Sequence, residues 1–260
     1  MDKFIYRKAA GITALSAKMT DFSYKMHSHR EYAIGVTLRG IQEYSLDGNV
    51  QLSHKNGIML FNPEQVHNGM AHDAQGLEYV MLYIDPALLM DVRGKNEMVR
   101  FSEPVVYDPA LEKKILMLSD AIFLKKDEAL CNEMLLSLTD SLTETTEPAD
   151  HKKDNVRINT AKDMLHANPD QLLKLDDICS ELQLSKFQFI RMFKAQTGIT
   201  PYQYFLNCKI EHAKQLIETK RDVYAAVAEC GFVDLTHLNK HFKSVFGITA
   251  YEYLTHLNGK

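Results

Sequence analysis

The sequence predicts an α+β protein of two domains: an N-terminal β-rich domain closed by helices, then a C-terminal domain of helices alone. Three observations carry that prediction. From Phe22 to Ile84 short alternating or apolar runs are broken by turn residues. Beyond Pro109 the apolar residues take helical spacing. Near the C-terminus "FKAQTGITPYQYF" returns 49 positions later as "FKSVFGITAYEYL", with seven identities in thirteen positions. One structural unit is therefore present twice.

A chain of 260 residues is long for one domain and comfortable for two. Its 45% hydrophobic and 25% charged content is ordinary for a globular protein, and no apolar run approaches the roughly 18 residues of a membrane span. The opening "MDKFIYRKAAGITALSAKMTD" carries too much charge for a secretory signal, so a cytoplasmic location is expected. Cys131, Cys179, Cys208 and Cys230 are widely spaced without a C-x-x-C pair and read as buried thiols. The net charge of −4 argues against a generic polyanion binder, yet it is unevenly spread. Residues 1–150 hold 15 Lys/Arg against 22 Asp/Glu, and residues 151–260 hold 15 against 12. The C-terminal half is the basic one.

Taken in order, "YAIGVTLRG", "IQEYSL", "GIMLF" and "LEYVMLYI" read as strands separated by "DGN", "HKNG" and "NPEQ". Short, regular strands without intervening helices favour a sandwich or small barrel. Leu111, Ile115, Leu118 and Ile122, then Leu130, Met134, Leu135, Leu138 and Leu142, predict two amphipathic helices near 110–124 and 127–143. The number of their leucines points to pairing with a second copy of the chain, a homodimer. The polar stretch "TETTEPADHKKDN" is the expected linker. The domain limits are thus 1–144, with helices about 109–144, a linker at 145–155, and 156–260.

The C-terminal domain begins with a helix from about Asn155 to Ala167, ended by Asn168-Pro169. A short helix near 176–182, a tight connection and a helix from Ser185 follow, with Ser185 and Gln188 forming a capping box. Leu175, Ile178, Leu182, Leu184, Phe189 and Phe193 can be buried together only if the two helices cross steeply, the helix-turn-helix pattern. In the second copy the set is Val223, Ala226, Cys230, Phe232, Leu238 and Phe242, with Gly231 in the turn and Asp234 as N-cap. The offset is 48 before the turn and 49 after it, so Val233 is an extra residue. Gly198 and Gly247 suit left-handed C-caps, and Thr200 and Thr249 cap the helices that follow. Pro201 suits the first helical position. "PYQYFLNCKIEHAKQLIE" is one unbroken spacer helix packed through Phe205, Ile210, Ala213, Leu216 and Ile217.

Two such units on a rigid spacer suit entry into successive major grooves of one duplex, about 34 Å apart. Burial of the phenylalanines leaves Lys186, Phe187, Gln188, Ile190, Arg191 and Lys194 outward on the first recognition helix. Leu235, Thr236, His237, Asn239, Lys240 and Lys243 are outward on the second. Arg191 suits guanine, Asn239 adenine, Phe187 or Ile190 a thymine methyl, and the lysines phosphates.

On "LDDICSELQLSKFQFIRMFK", "GITPYQYFLNCKIEHAKQLI" and "AECGFVDLTHLNKHFKSVFGITAYEYL" the chain resembles the AraC/XylS family of bacterial transcription regulators over residues 156–254. It departs at Ala250, commonly Pro, and at Ala226-Val227, where a larger residue followed by Ala is usual. "YKMHSHREYAIGVTLRG" and "NGIMLFNPEQVHNG" look like the family's cupin-type effector domain. The resemblance implies a cupin-like β-barrel or jelly roll with flanking helices, then two helix-turn-helix motifs joined by a long helix. It implies double-stranded DNA and a small-molecule effector as partners, with RNA polymerase a candidate. Tyr24, His27, His29, Glu31, Arg39 and His67 are the candidate effector-binding residues, Arg39 as counter-charge to an anionic effector if it points inward; Tyr32, Tyr44 and Tyr79 are further lining candidates. His27, His29, Glu31 and His67 also suit a divalent metal. In metal-binding cupins, however, the acidic ligand comes later after the H-x-H pair, and its Gly-rich approach is missing here. No metal or other cofactor is therefore assigned. The expectation is a sequence-specific regulator without enzymatic activity; the alternative is a metal-dependent cupin dioxygenase or isomerase with a helical appendage.

Overall fold

A computed structural model describes residues 2–94, 98–142, 146–148, 156–167, 169 and 173–258. Strands β1 (Lys3–Ala9) and β2 (Ile12–Met19) come first, followed by β3 (Ser23–His27), β4 (Tyr32–Arg39), β5 (Gln42–Leu46), β6 (Asn49–Ser53), β7 (Ile58–Phe61), β8 (His67–Ala71) and β9 (Leu77–Ile84). Helix α1 (Pro86–Arg93), strands β10 (Val99–Phe101) and β11 (Val105–Val106), and helices α2 (Pro109–Phe123) and α3 (Glu128–Leu142) complete this region, with β12 (Thr146–Pro148) returning to pair with β10. Part of the expected linker is therefore a strand; residues 149–155 lie outside the described residues.

Among the described residues the strands form a six-stranded sheet, β1-β2-β9-β4-β7-β11, and a four-stranded sheet, β3-β8-β5-β6. The two meet face to face. Tyr44 and Phe61 have ring centroids 4.9 Å apart, Phe61 and His67 4.3 Å, and the Thr37 and Ser53 hydroxyls lie 2.8 Å apart across the interior. The outer face of the larger sheet carries Ile34, Val36, Ile58, Leu60, Leu82 and Ile84. These pack with Leu111, Ile115, Leu118 and Ile122 of α2 and Leu135, Leu138 and Leu142 of α3. That is why "YAIGV" is apolar without alternation: β4 is buried on both faces. At Gly35 a Cβ would lie 2.4 Å from the Val80 carbonyl oxygen, so a side chain there would force β9 away.

The helices near 110–124 and 127–143 stand where the periodicity puts them. Asp108 caps α2 by accepting from the Ala110 and Leu111 N–H groups, with Pro109 in its first turn. The leucine surplus taken to indicate a partner chain is largely absorbed within this one. Leu118 and Leu138 have no exposed surface, and the apolar residues left outside are Met117, Leu124, Leu130 and Leu136.

Beyond residue 155 the described residues are helical: α4 (Val156–Ala167), α5 (Leu175–Leu182), α6 (Lys186–Thr197), α7 (Pro201–Lys220), α8 (Val223–Glu229), α9 (Leu235–Phe246) and α10 (Ala250–Leu257). The chain divides into two compact units. One comprises Met1–Tyr24, His29–Asp150 and His256–Lys260, the other His151–Thr255 with Lys25–Ser28. Cys131, Cys179 and Cys230 are buried, and burial pushes the Cys131 and Cys179 thiols up; Cys208 is only half-buried, contrary to expectation.

Candidate nucleic-acid interface and ligand-domain interior

Each recognition helix is started and stopped by its own sequence. Ser185 accepts from the Gln188 N–H at 3.3 Å while the Gln188 side-chain oxygen accepts from the Ser185 N–H at 2.9 Å. Asp234 caps α9 by accepting from the His237 N–H at 2.7 Å. Gly198 and Gly247 end the two helices in the left-handed conformation, at φ 81° and 76°. Thr200 and Thr249 then cap α7 and α10 with Gln203 and Glu252 as reciprocal partners.

The turns that precede them close alike. The Leu184 N–H donates to the Cys179 carbonyl and the Phe232 N–H to the Val227 carbonyl, both at 3.0 Å and five residues back. The left-handed position is Gln183 in the first copy, φ 55°, and Gly231 in the second, φ 63°. Val233 is the extra residue, and it is 85% exposed.

Helix α7 runs twenty residues without a break. Its packed side holds the predicted Phe205, Ile210, Ala213, Leu216 and Ile217, and also charged groups that periodicity did not indicate: Lys209, Glu211 and Lys214 are buried. The Lys209 ammonium lies over the Phe205 and Phe232 rings and donates to the Gly231 carbonyl at 3.5 Å, tying the spacer to the second turn. The repeat-equivalent tyrosines fix both motifs. Tyr204 bonds His166 at 2.7 Å and packs on Phe193; Tyr253 donates to Glu218 at 2.6 Å and packs on Phe242.

Around these buried sides Lys186, Phe187, Gln188, Arg191 and Lys194 are exposed on α6, Phe187 at 76%, with Ile190 half-buried. On α9 Thr236, Lys240 and Lys243 are exposed, and Leu235, His237 and Asn239 are half-buried. Four of these twelve are already engaged, Gln188 through its capping bond to the Ser185 N–H. Lys186 pairs with Asp176 at 2.8 Å, a bond that raises its pKa. The His237 Nδ1 accepts from the Val233 N–H at 3.4 Å, which places the proton of the neutral ring on Nε2. Asn239 Oδ1 accepts from the Ala250 N–H at 3.0 Å.

In the β-rich unit His29 and His67 are buried with ring centroids 5.0 Å apart, and Tyr83 stands edge-on to His29 at 5.3 Å. His27, which falls in the other unit, is buried as well. Each of the three histidines has Nδ1 against a backbone carbonyl two residues away: Lys25 for His27, Glu31 for His29 and Gln65 for His67, at 2.7–2.9 Å. A carbonyl only accepts, so Nδ1 carries the proton and each neutral ring turns an Nε2 lone pair toward its surroundings. Tyr79 donates to Tyr24 at 2.9 Å, and burial pushes both hydroxyls up. The Tyr32 and Tyr44 hydroxyls are committed to the Val99 and Pro104 carbonyls. Glu31 is half-buried. Among the described residues no group of three His, Cys, Asp or Glu side chains has the arrangement of a metal site.

Arg39 departs from expectation. Strict alternation from the buried Thr37 would turn it inward, but the β4–β9 register shifts between Thr37 and Arg39. The side chain is exposed instead, bonded to Glu78 at 3.1 Å and to the Gln75 carbonyl at 2.9 Å. Lys18 and Arg39 together hold the Glu78 carboxyl below its ordinary value. Sequence reasoning missed Gln42. It is 4% exposed on the inward face of β5, and its side-chain oxygen has no hydrogen-bond partner among the described residues. Its place in the alternation Gln42, Tyr44, Leu46 was the signal that marked it.

A pair of capped helix-turn-helix units behind a β-rich ligand domain defines a DNA-binding transcription regulator. The comparisons agree: residues 9–139 match the AraC-like ligand binding domain and residues 178–256 a helix-turn-helix domain. The chain belongs to the AraC family. The HTH-type transcriptional regulator YbfI of Bacillus subtilis is 26% identical over 226 residues, 82% of this chain and 80% of the relative. The probable transcriptional regulator LumQ of Photobacterium leiognathi is 24% identical over 235 residues, 88% of this chain and 92% of the relative. Unsaturated fatty acid-bound ToxT of Vibrio cholerae shares the fold, with a TM-score of 0.63 at 12% identity over 100% of this chain and 96% of that one. These are the domains and relatives of a regulator, not of an enzyme. No helix among the described residues is long and apolar enough to cross a membrane.

Proposed function

We propose that this regulator reads two blocks of base pairs, one with α6 and one with α9, and that an effector in the β-rich unit controls the outcome in the cytoplasm. One observation carries the reading: two capped recognition helices are anchored to a single twenty-residue helix. At 1.5 Å per residue that spacer is about 30 Å long, comparable with one duplex turn. Arg191 contacts a guanine edge, Phe187 and Ile190 a thymine methyl, and Lys194, Lys240 and Lys243 phosphates. The effector is a small neutral molecule that donates a hydrogen bond. The buried Gln42 carbonyl favours a donor, and with Arg39 outside, the interior lacks that counter-charge for an anion. The exposed Met117, Leu124 and Leu136 support a homodimer through α2 and α3. An activating role adds contact with RNA polymerase, which in vitro transcription with purified polymerase tests.

The deciding experiment is selection of bound sequences from random duplex DNA by the full chain, repeated with Arg191→Ala. Two blocks about one turn apart, with preference at one base pair relaxed in the variant, are expected. A single block, or equal losses on selected and random DNA, would contradict the reading.

A further inference from the structure

Asn on a recognition helix commonly reads adenine with both ends of its amide: the oxygen accepts from N6–H and the nitrogen donates to N7. Here one end is occupied. Asn239 Oδ1 takes the Ala250 N–H at 3.0 Å, at the first position of α10. The repeat explains why. Subtracting 49 from these positions gives Ile190 and Pro201, a side chain without polar atoms opposite a residue without an N–H. Where the second copy has Ala instead of Pro, it gains a backbone donor at a helix start, and where it has Asn instead of Ile, it gains the acceptor that satisfies it. The two differences compensate one another chemically.

We infer that Asn239 is a positioning and specificity-determining residue, its amide oriented by the Ala250 N–H so that the Nδ2 donors are the end free to align with a base edge. One Oδ1 lone pair remains, but its direction is set by the Ala250 bond, so the residue favours an acceptor edge, the N7 and O6 of guanine or the O4 of thymine, over the donor–acceptor edge of adenine. The clamp also ties the middle of α9 to the start of α10. This inference rests on the proposal that α9 enters a major groove.

The test uses the full chain, random duplex DNA and four variants. Asn239→Ala should relax preference at one base pair and lower the thermal midpoint, because the Ala250 N–H loses its acceptor. Asn239→Ala with Ala250→Pro should recover the midpoint, since the donor is gone, without recovering the preference. Pro is accommodated at the matching position of the first copy, so this change is compatible with the fold. Asn239→Asp keeps the acceptor and should keep the midpoint, while the base preference is lost with the Nδ2 donors. Ala250→Pro alone is decisive. It frees Oδ1, and the preference at that pair should move toward adenine by about 5- to 150-fold, the span of a bidentate side chain–base contact. An unchanged preference in Ala250→Pro overturns the inference, as does an adenine preference already present in the unaltered chain. Asn239→Ala without effect on any base pair reduces the residue to a clamp and removes its reading role. Absence of sequence preference in the unaltered chain would instead sink the proposed reading by both recognition helices, which separates that failure from this one.

Discussion

Asp176 sits in the first turn of α5 and holds Lys186 at 2.8 Å, whereas among the described residues Lys194, two turns further along α6, has no ion-pair partner. The two lysines should therefore differ in what they give to phosphate binding. A lysine that neutralises one phosphate contributes about 0.9 to the slope of log affinity against log salt, so across the decade from 1 M to 0.1 M it contributes about eightfold. Lys194→Ala should show that whole loss on every sequence and flatten the slope by about 0.9. Lys186→Ala should fall short of it, because the ammonium leaves Asp176 before it meets a phosphate. Asp176→Asn should tighten binding, by at most about eightfold at 0.1 M salt, and steepen the slope by at most about 0.9. In that background Lys186→Ala should recover its full effect. The assay is fluorescence anisotropy with a selected duplex and a scrambled one over a salt series, because phosphate contacts act on both duplexes equally. If the two lysines flatten the slope alike in the unaltered chain and Asp176→Asn changes nothing, the ion pair does not compete with DNA. If neither lysine alters the slope, α6 does not lie along the backbone.

Three further outcomes are expected. Leu138→Ala should cost about 2–5 kcal/mol in urea unfolding, as deletion of a fully buried leucine does, and Leu136→Ala, which is half exposed, about 0.5 kcal/mol or less; for the homodimer, Met117→Asp with Leu136→Asp should shift sedimentation toward monomer without unfolding the chain. Gln42→Leu should raise the thermal midpoint, since it removes a buried oxygen that has no partner among the described residues, worth about 1–3 kcal/mol, and should abolish any change in DNA affinity caused by cellular metabolite extracts; a lowered midpoint would mean that the amide is satisfied in the folded chain. Burial, then His237 and Lys240, holds the His241 pKa below its ordinary value, so the unfolded chain binds the proton first and stability is lost as pH falls from about 6.5 through the folded value; His241→Gln should flatten that part of a stability–pH curve.

How much of this was legible depended on distance along the chain. Caps, helix ends and the two helix-turn-helix turns are written within five residues, and Ser185, Asp234, Gly198 and Gly247 do what such residues do at those offsets. The helices α2 and α3 were equally plain, but the destination of their leucines was not, because it depends on the area of sheet they cover. Strands β1 and β2 escaped notice: Lys and Arg on their outer positions break the apolar runs, although both pair along their full length. The short β10 and β12 are joined across more than forty residues, a pairing that no local pattern encodes. Side-chain direction was the least legible feature. A single bulge turned Arg39 outward, and one backbone N–H at Ala250 changed what Asn239 can present.

The twelve candidate DNA contacts are six pairs, each separated by 49 residues: Lys186 with Leu235, Phe187 with Thr236, Gln188 with His237, Ile190 with Asn239, Arg191 with Lys240 and Lys194 with Lys243. Only the last two pairs keep a positive charge in both copies. Of these, Lys194 and Lys243 are the pair suited to hold the backbone, and a duplex offers phosphates of the same geometry in each groove. At the other four positions the chemistry differs: an aromatic ring faces a hydroxyl, an alkyl group a clamped amide and an ammonium an alkyl group, while Gln188 and His237 share only hydrogen-bonding capacity. Even the Arg191–Lys240 pair is unequal, because a guanidinium can span guanine N7 and O6 and an ammonium meets them as a point charge. On the proposed reading the two motifs share one construction and one way of gripping DNA but read different bases. A single chain should select two dissimilar blocks, with fixed order and spacing, so inverting one block should reduce binding as much as scrambling it. Equal binding to the inverted site would mean that backbone contacts alone place the second motif.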